Sequence, residues 1–138
     1  METTFLTPVL ALVTWTLIIW FVMYSRRIPA MNAAKMDPQA AAHPGSLDVL
    51  PSKARAAADN YNHLHEAPTI FYALILYSHL AGVADEINLG LAWAYVVLRV
   101  LHSLLQITAN KVPVRFMLFA LSTLVLVAIA VRNIIALF

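Results

Sequence analysis

Four long apolar segments leave this chain few possible folds. They cover approximately residues 5–24, 67–82, 88–110 and 114–136. About 20 apolar residues are needed for a helix to cross a bilayer, so the first, third and fourth segments are long enough. The second is shorter, but an alanine-rich, helix-compatible stretch precedes it, and we predict one helix over residues 52–82 that begins outside the membrane. The sequence therefore predicts an all-α, integral membrane four-helix bundle.

The shortage of charged residues supports a membrane protein. Only 12% of the 138 residues are charged and 62% are hydrophobic, whereas soluble domains have about 25% charged and roughly 45–50% apolar residues. We expect a single transmembrane domain over residues 1–138. The absence of cysteine excludes zinc-thiolate sites and cysteine nucleophiles. The net charge of +2 is small and its basic residues lie beside apolar segments, which indicates membrane orientation rather than nucleic-acid binding.

Prolines mark the connections between these helices. The one long connection, residues 25–51, contains Pro29, Pro38, Pro44 and Pro51, which are loop signals. The turns at residues 82–86 and 110–113 are short. Pro68 predicts a kink in the second helix just after Glu66.

Lysine and arginine are distributed unequally between the two sides of the predicted bundle. One side has only Arg132, near the C-terminus, while the middle loop of that side has the acidic residues Asp85 and Glu86. The other side has Arg26, Arg27, Lys35, Lys53, Arg55, Lys111 and Arg115. Because basic loops stay in the cytoplasm, we expect the second side to be cytoplasmic and both termini to lie outside.

Polar residues form a stripe along the second predicted helix. Arg55, Asp59, Asn62 and Glu66 are four, three and four residues apart, which places them on one helix face. Charged groups inside lipid cost at least about 2.5–3.5 kcal/mol each, so this face must meet protein or water.

The third predicted helix has a matching stripe. Arg99, His102, Gln106 and Asn110 also share one face, and Arg115 opens the fourth helix shortly afterwards. The two stripes and Arg115 converge on the cytoplasmic half of the bundle. We interpret this as an electropositive, partly buried pocket that suits an anionic ligand or a developing thiolate.

Simpler interpretations stay open for several of these residues. Arg99 and Glu66 could form a buried ion pair that only sets helix register. His63 and His65 are two residues apart and so face opposite sides of a helix, which predicts no metal site. No nucleophile–base pair, glycine-rich phosphate loop or carboxylate dyad is present in the sequence.

Two segments resemble the signatures of the MAPEG family, the membrane-associated proteins in eicosanoid and glutathione metabolism. They are the run from Arg55 to Pro68, RAAADNYNHLHEAP, and the stretch from Arg99 to Arg115 with its elements RVLH and KVPVR. The resemblance implies a bacterial-type member in the inner membrane, and a homotrimer that binds glutathione between subunits near the cytoplasmic side. Such proteins act as glutathione transferases, isomerases or peroxidases on hydrophobic small molecules within membrane lipid.

The resemblance also assigns roles to individual residues. Arg115 matches the arginine that holds the glutathione thiolate, so it is the catalytic candidate. Glu66 matches a contact to the amino end of glutathione, and His102 matches a histidine near this cofactor. The further cofactor-binding candidates are Asn62, His63, Arg55 and Arg27.

Three positions depart from the family pattern. His63 stands where an asparagine is expected, Asp59 where an arginine is expected, and Phe119 where an aromatic hydroxyl is expected. The missing arginine and hydroxyl favour an alternative, a non-catalytic membrane protein that uses the same fold to bind a lipid or a protein partner. The retained Glu66, His102 and Arg115 favour the glutathione-dependent enzyme, which is the leading interpretation. A channel or transporter is disfavoured because the fourth helix lacks a polar face.

The predicted topology can be tested with single cysteines, since the chain has none of its own. On intact cells, an impermeant maleimide should label Ala84→Cys and leave Ala42→Cys unlabelled, because only the turn near Ala84 faces outward. Permeabilised cells provide the control, in which both variants should react. Labelling of Ala42→Cys alone on intact cells would show that the orientation is reversed.

Overall fold

The polypeptide is helical through all of its apolar segments. The computed structural model describes residues 2–138, with side chains from Thr4 onward. Its α-helices are α1 (Glu2–Ala33), α2 (Ser52–His63), α3 (Ala67–Leu80), α4 (Glu86–Ile107) and α5 (Val112–Ile135). A short 3-10 helix, Pro38–Ala41, lies in the first connection, and the described residues contain no strand. The prediction of an all-α bundle is therefore confirmed, with α2 and α3 together forming its second segment.

Three of these helices have the length and apolar composition to cross a membrane. They lie within Thr4–Ala33, Glu86–Ile107 and Val112–Ile135. Helix α1 packs on α2, α3 and α4, while α5 packs mainly on α4 and α3. At the centre, the Phe71 ring stacks on the Tyr95 ring with centroids 4.6 Å apart. The core thus lies between α1, α3 and α4, and α5 covers one side of it.

Helix α1 is longer than the sequence predicts. We expected it to end near Tyr24, with Pro29 in a loop, but it continues to Ala33 with Pro29 inside it. Proline removes one helical hydrogen bond. The extension also makes new bonds, because the Arg26 guanidinium donates to the carbonyls of Lys53 at 3.2 Å and Ile107 at 2.9 Å. Tertiary contacts to α2 and α4 therefore outweigh the helix-breaking effect of Pro29.

The second predicted helix is interrupted rather than merely kinked. Helix α2 ends at His63 and α3 begins at Ala67. Pro68 is in the first turn of α3, where its ring would clash with the Leu64 carbonyl if the helix were continuous. The expected helix over residues 52–82 is thus two helices, and the junction of residues 64–66 falls where the proline predicts it.

Polar side chains tie α5 to the rest of the bundle at the end opposite this junction. Arg132 donates to Asn88 Oδ1 at 2.8 Å and forms an ion pair with Asp85 at 2.6 Å. Asn133 donates to Ser78 Oγ at 2.8 Å, and both residues are buried. These bonds attach α5, the most apolar helix, to α3 and α4. Hydrophobic contact alone would do little to orient α5, because lipid is as apolar as the neighbouring helices.

A second buried polar contact joins α2 to α4 near the junction. Asn60 is fully buried and donates to Gln106 Oε1 at 2.9 Å. His63 Nδ1 lies 3.2 Å from the same oxygen. This contact sets the position of the end of α2 relative to α4.

We expect Asn60→Ala to destabilise the protein by about 1–3 kcal/mol, because it leaves the buried Gln106 amide short of a partner. The measurement is the free energy of unfolding, from a denaturing-detergent titration of the protein in mild micelles. Asn32→Ala provides the control, since Asn32 is exposed on α1 and its loss should change stability by less than about 0.5 kcal/mol. Equal effects of the two substitutions would contradict the buried contact.

Candidate functional site

A cleft of about 200 Å³ opens where the α2–α3 junction meets α4 and the start of α5. It contains four of the seven candidate residues from the sequence, namely His63, Glu66, His102 and Arg115. Its other lining residues are Ala67, Arg99, Val112, Phe116 and Phe119. Polar and charged groups therefore share this cleft with an aromatic wall, which is formed by Phe116 and Phe119.

Helical spacing explains why these side chains meet. Arg99 and His102 are three residues apart on α4, and both side chains are buried. Val112, Phe116 and Phe119 are separated by four and three residues, so they form one face of α5. Because the helix is interrupted after His63, Glu66 lies in the junction between α2 and α3, where it lines the cleft.

Arg115 lies in the first turn of α5. The backbone N–H groups at a helix start are partly unsatisfied, which makes this end positive. The Arg115 guanidinium donates to the side-chain oxygen of Asn110. Asn110 has a φ of 51°, in the left-handed region that asparagine tolerates, and this turns the chain from α4 into α5. The α4–α5 turn thus orients the arginine beside the cleft.

Arg99 is a buried cation with few partners. Its side chain is 1% exposed, and its Nη2 donates to the His63 carbonyl at 3.4 Å. The buried Nε has no partner among the described residues. The ion pair with Glu66 that the sequence allowed is not formed, since their charged atoms are more than 4.0 Å apart. Arg99 therefore adds to the cleft a positive charge that no ion pair among the described residues neutralises.

The two histidines of the cleft lie close to each other. Their ring centroids are 6.3 Å apart, and His102 Nδ1 is buried with no hydrogen-bond partner in the part of the chain that the structure describes. No group of three or more His, Asp or Glu side chains suited to a metal ion occurs from Thr4 onward. His63 Nδ1 already contacts Gln106 Oε1, whereas His102 Nδ1 faces no hydrogen-bond partner among the described residues.

The other three candidate residues lie in a second cavity. Arg27, Arg55 and Asn62, together with Asp59, line a space of about 250 Å³ between α2 and the loop that follows α1. The Arg27 guanidinium also lies over the Tyr24 ring, 5.5 Å from its centroid. The structure thus places the predicted site residues in two groups rather than one.

Comparison with known proteins identifies the family. A family model described as the MAPEG family matches residues 5–135, nearly the whole chain. The chain belongs to the MAPEG family. No curated protein and no solved structure matches it. Together with the three membrane-length helices, this makes the chain an integral membrane protein of the glutathione and eicosanoid metabolism family.

The three departures from the MAPEG pattern have different places in the structure. His63 and Phe119 line the cleft, where the Phe119 ring cannot donate a hydrogen bond. Asp59 lies in the second cavity and does not line the cleft.

Sequence reasoning missed Asn60 and the role of Arg26 in this MAPEG protein. Asn60 follows Ala56 and Ala57 at helical spacing, so the small residues mark the buried face of α2 and could have identified it. Arg26 was interpreted as an orientation charge, but it binds the carbonyl of Ile107 at the end of α4. No local signal in the sequence indicates that distant contact.

Proposed function

We propose that this protein is a membrane-bound, glutathione-dependent enzyme, transferase-like or peroxidase-like, that acts on hydrophobic substrates. The observation that carries the proposal is the shared cleft, in which Arg115 at the positive start of α5 lies with Glu66 and an aromatic wall. Glutathione supplies a thiol and an ammonium group, and these two groups match the arginine and the glutamate.

The chemistry requires a thiolate, which is the nucleophilic form of a thiol. Arg115 and the helix start stabilise that negative charge, and Glu66 receives the ammonium of the γ-glutamyl residue. In transfer, the thiolate sulfur forms a bond to an electrophilic carbon of the substrate while the bond from that carbon to its leaving group breaks, and the leaving group departs with the electron pair. In peroxide reduction, it attacks an O–O bond and releases an alcohol, and a second glutathione then converts the sulfenic acid to the disulfide and water.

The aromatic wall supports a substrate that comes from the bilayer. Phe116 is 67% exposed and Phe119 is 42% exposed in a single subunit. Phe119 also motivates the alternative function, binding of a lipid or protein partner without catalysis, because the cleft lacks the hydroxyl donor that the resemblance implies at this position.

The size of the cleft supports an assembly. About 200 Å³ is less than the roughly 300–1,000 Å³ of most small-molecule sites. The polar face of α2 with Arg55, Asp59 and Asn62 is also exposed in a single subunit. We propose a homotrimer in which these residues of one subunit complete the glutathione site of its neighbour.

The proposed location is a bacterial inner membrane, with both termini outside and the cleft toward the cytoplasm. Lysine and arginine are in excess at the helix ends and connections on this side, and this supports the orientation. They are Arg26, Arg27, Lys35, Lys53, Arg55, Lys111 and Arg115. Glutathione in the cytoplasm would then have direct access to the cleft.

The catalytic role of Arg115 predicts a spectroscopic change. Glutathione titrated into the detergent-purified protein near neutral pH should give ultraviolet thiolate absorbance, and Arg115→Ala should abolish it, since the stabilising charge is lost. Arg132→Ala is the matched control, because Arg132 lies on α5 outside the cleft. No glutathione binding at millimolar concentration, measured by calorimetry, would rule out the enzyme and favour the alternative function.

The proposed assembly predicts three copies of the chain in native mass spectrometry from mild detergent. The physical reason is that polar groups on the outer face of α2 require a partner other than lipid. A stable monomer, or a dimer alone, would contradict both the trimer and a glutathione site shared between subunits.

A further inference from the structure

The two ring nitrogens of His63 have different surroundings. Nδ1 lies 3.2 Å from Gln106 Oε1, and Gln106 is buried and does not line the cleft. The His63 ring itself does line the cleft, and no described residue forms a hydrogen bond with its Nε2. Nδ1 therefore faces the interior of the bundle, and Nε2 is the nitrogen that a molecule in the cleft can reach.

The contact with Gln106 determines which ring nitrogen carries the proton. Asn60 is fully buried and donates from its Nδ2 to the same Gln106 Oε1 at 2.9 Å, so the oxygen of this amide is the atom that points to His63. An amide oxygen only accepts hydrogen bonds, and its contact with Nδ1 therefore requires the proton on Nδ1. The neutral ring then has an unprotonated Nε2 with a free lone pair.

This arrangement is that of a general base. Such a base needs a free acceptor nitrogen within reach of the nucleophile and a third group that fixes its tautomer. Gln106 is the third group, and the glutathione thiol is the nucleophile under the proposed function. The His102 ring lies 6.3 Å from the His63 ring, but its Nδ1 has no partner among the described residues that would fix a tautomer. His63 is therefore the better oriented of the two histidines.

We propose that His63 is a catalytic proton carrier for peroxide reduction, in which Nε2 accepts the thiol proton of bound glutathione and then donates it to the oxygen that leaves the peroxide. This inference rests on the proposed function, and it selects peroxide reduction from the two reactions named there. It also gives a role to one departure from the MAPEG pattern, because the asparagine expected at this position cannot carry a proton in this way.

The proton and the electrons balance over the cycle. The S–H proton moves to Nε2, and Arg115 stabilises the thiolate that remains. The thiolate sulfur attacks the terminal oxygen of the hydroperoxide, so an S–O bond forms while the O–O bond breaks with its electron pair on the leaving oxygen. That oxygen takes the proton from Nε2 and departs as an alcohol. The sulfur is oxidised to the sulfenic acid, the peroxide is reduced, and His63 is neutral again.

The charges in the cleft favour a short-lived imidazolium. Arg99 on α4 and Arg115 on α5 line the cleft together with neighbouring His102, and Glu66 is the one acidic lining residue. Two cations against one carboxylate disfavour a further positive charge, so the ring gives up its proton readily. An alkoxide leaves poorly without a proton, whereas a halide displaced in a transfer reaction needs none. The proton carrier therefore matters most for peroxides.

The test compares two reactions of the purified, assembled protein at saturating glutathione, one with cumene hydroperoxide and one with chlorodinitrobenzene. His63→Asn should lower kcat for the hydroperoxide by about 100-fold or more and kcat for chloride displacement by less than about 10-fold, because only the first reaction needs the proton returned. His65→Asn is the matched control, since His65 is exposed and lies outside the cleft, and it should leave both rates unchanged. If His63→Asn does not assemble, the comparison is made on His63→Ala.

Two further measurements separate proton transfer from a structural role of His63. Imidazole added to His63→Ala should restore the hydroperoxide rate in proportion to its concentration, because a free base then occupies the space of the missing ring. In nitrogen NMR spectra of the histidine-labelled protein, the signals that disappear in the His63 variant should show the proton on Nδ1. A lost rate that imidazole does not restore, or a proton on Nε2, would overturn the assignment.

The outcomes distinguish this inference from the proposed function. Equal losses in the two reactions of His63→Asn, or no loss in either, would overturn the role of His63 and leave a glutathione-dependent enzyme in place. Glutathione transfer by the wild type without any peroxide reduction would do the same. A wild type that neither binds glutathione nor catalyses either reaction would overturn both.

Discussion

A bilayer offers no water to a polar group, and this constraint organises the whole molecule. Backbone groups are satisfied within long helices, and the buried polar side chains form specific contacts between them. Asn60 and Gln106 join α2 to α4, and Ser78 and Asn133 join α3 to α5. Since apolar packing differs little from lipid contact, such bonds determine how the helices are oriented.

Departures from regular helix coincide with the candidate site. The α2–α3 junction and the α4–α5 turn both adjoin the cleft. At each of them a side chain reaches the cleft that a continuous helix would hold in another direction. The junction presents Glu66 and the turn orients Arg115 through Asn110. Proline and a left-handed asparagine are thus the local causes of the cleft, because each stops one helix and allows another to begin at a new angle.

Much of the architecture follows from local pattern, and the limits of prediction are physical. Hydrophobic length predicted the bundle, and helical spacing predicted that Arg99 and His102 share a face. Pro68 predicted a kink in one helix, whereas the chain has two helices there, α2 and α3. Pro29 was misinterpreted because the contact that keeps α1 helical involves residues 27 and 81 positions away from Arg26. Periodicity also could not show that Arg55 and Glu66, on one stripe, line different cavities, since that division depends on the loop before α2.

The exposed aromatic wall affects how the activity of such a protein must be measured. Phe116 and Phe119 are exposed on α5, a helix of membrane-spanning length, so under the proposed function a lipophilic substrate reaches the cleft from the membrane phase. The concentration that governs its encounter is then its mole fraction in lipid or detergent, rather than its amount per volume of buffer. Adding more lipid at constant substrate dilutes the reactant in two dimensions and raises the apparent Michaelis constant, while a water-soluble co-substrate shows no such dependence.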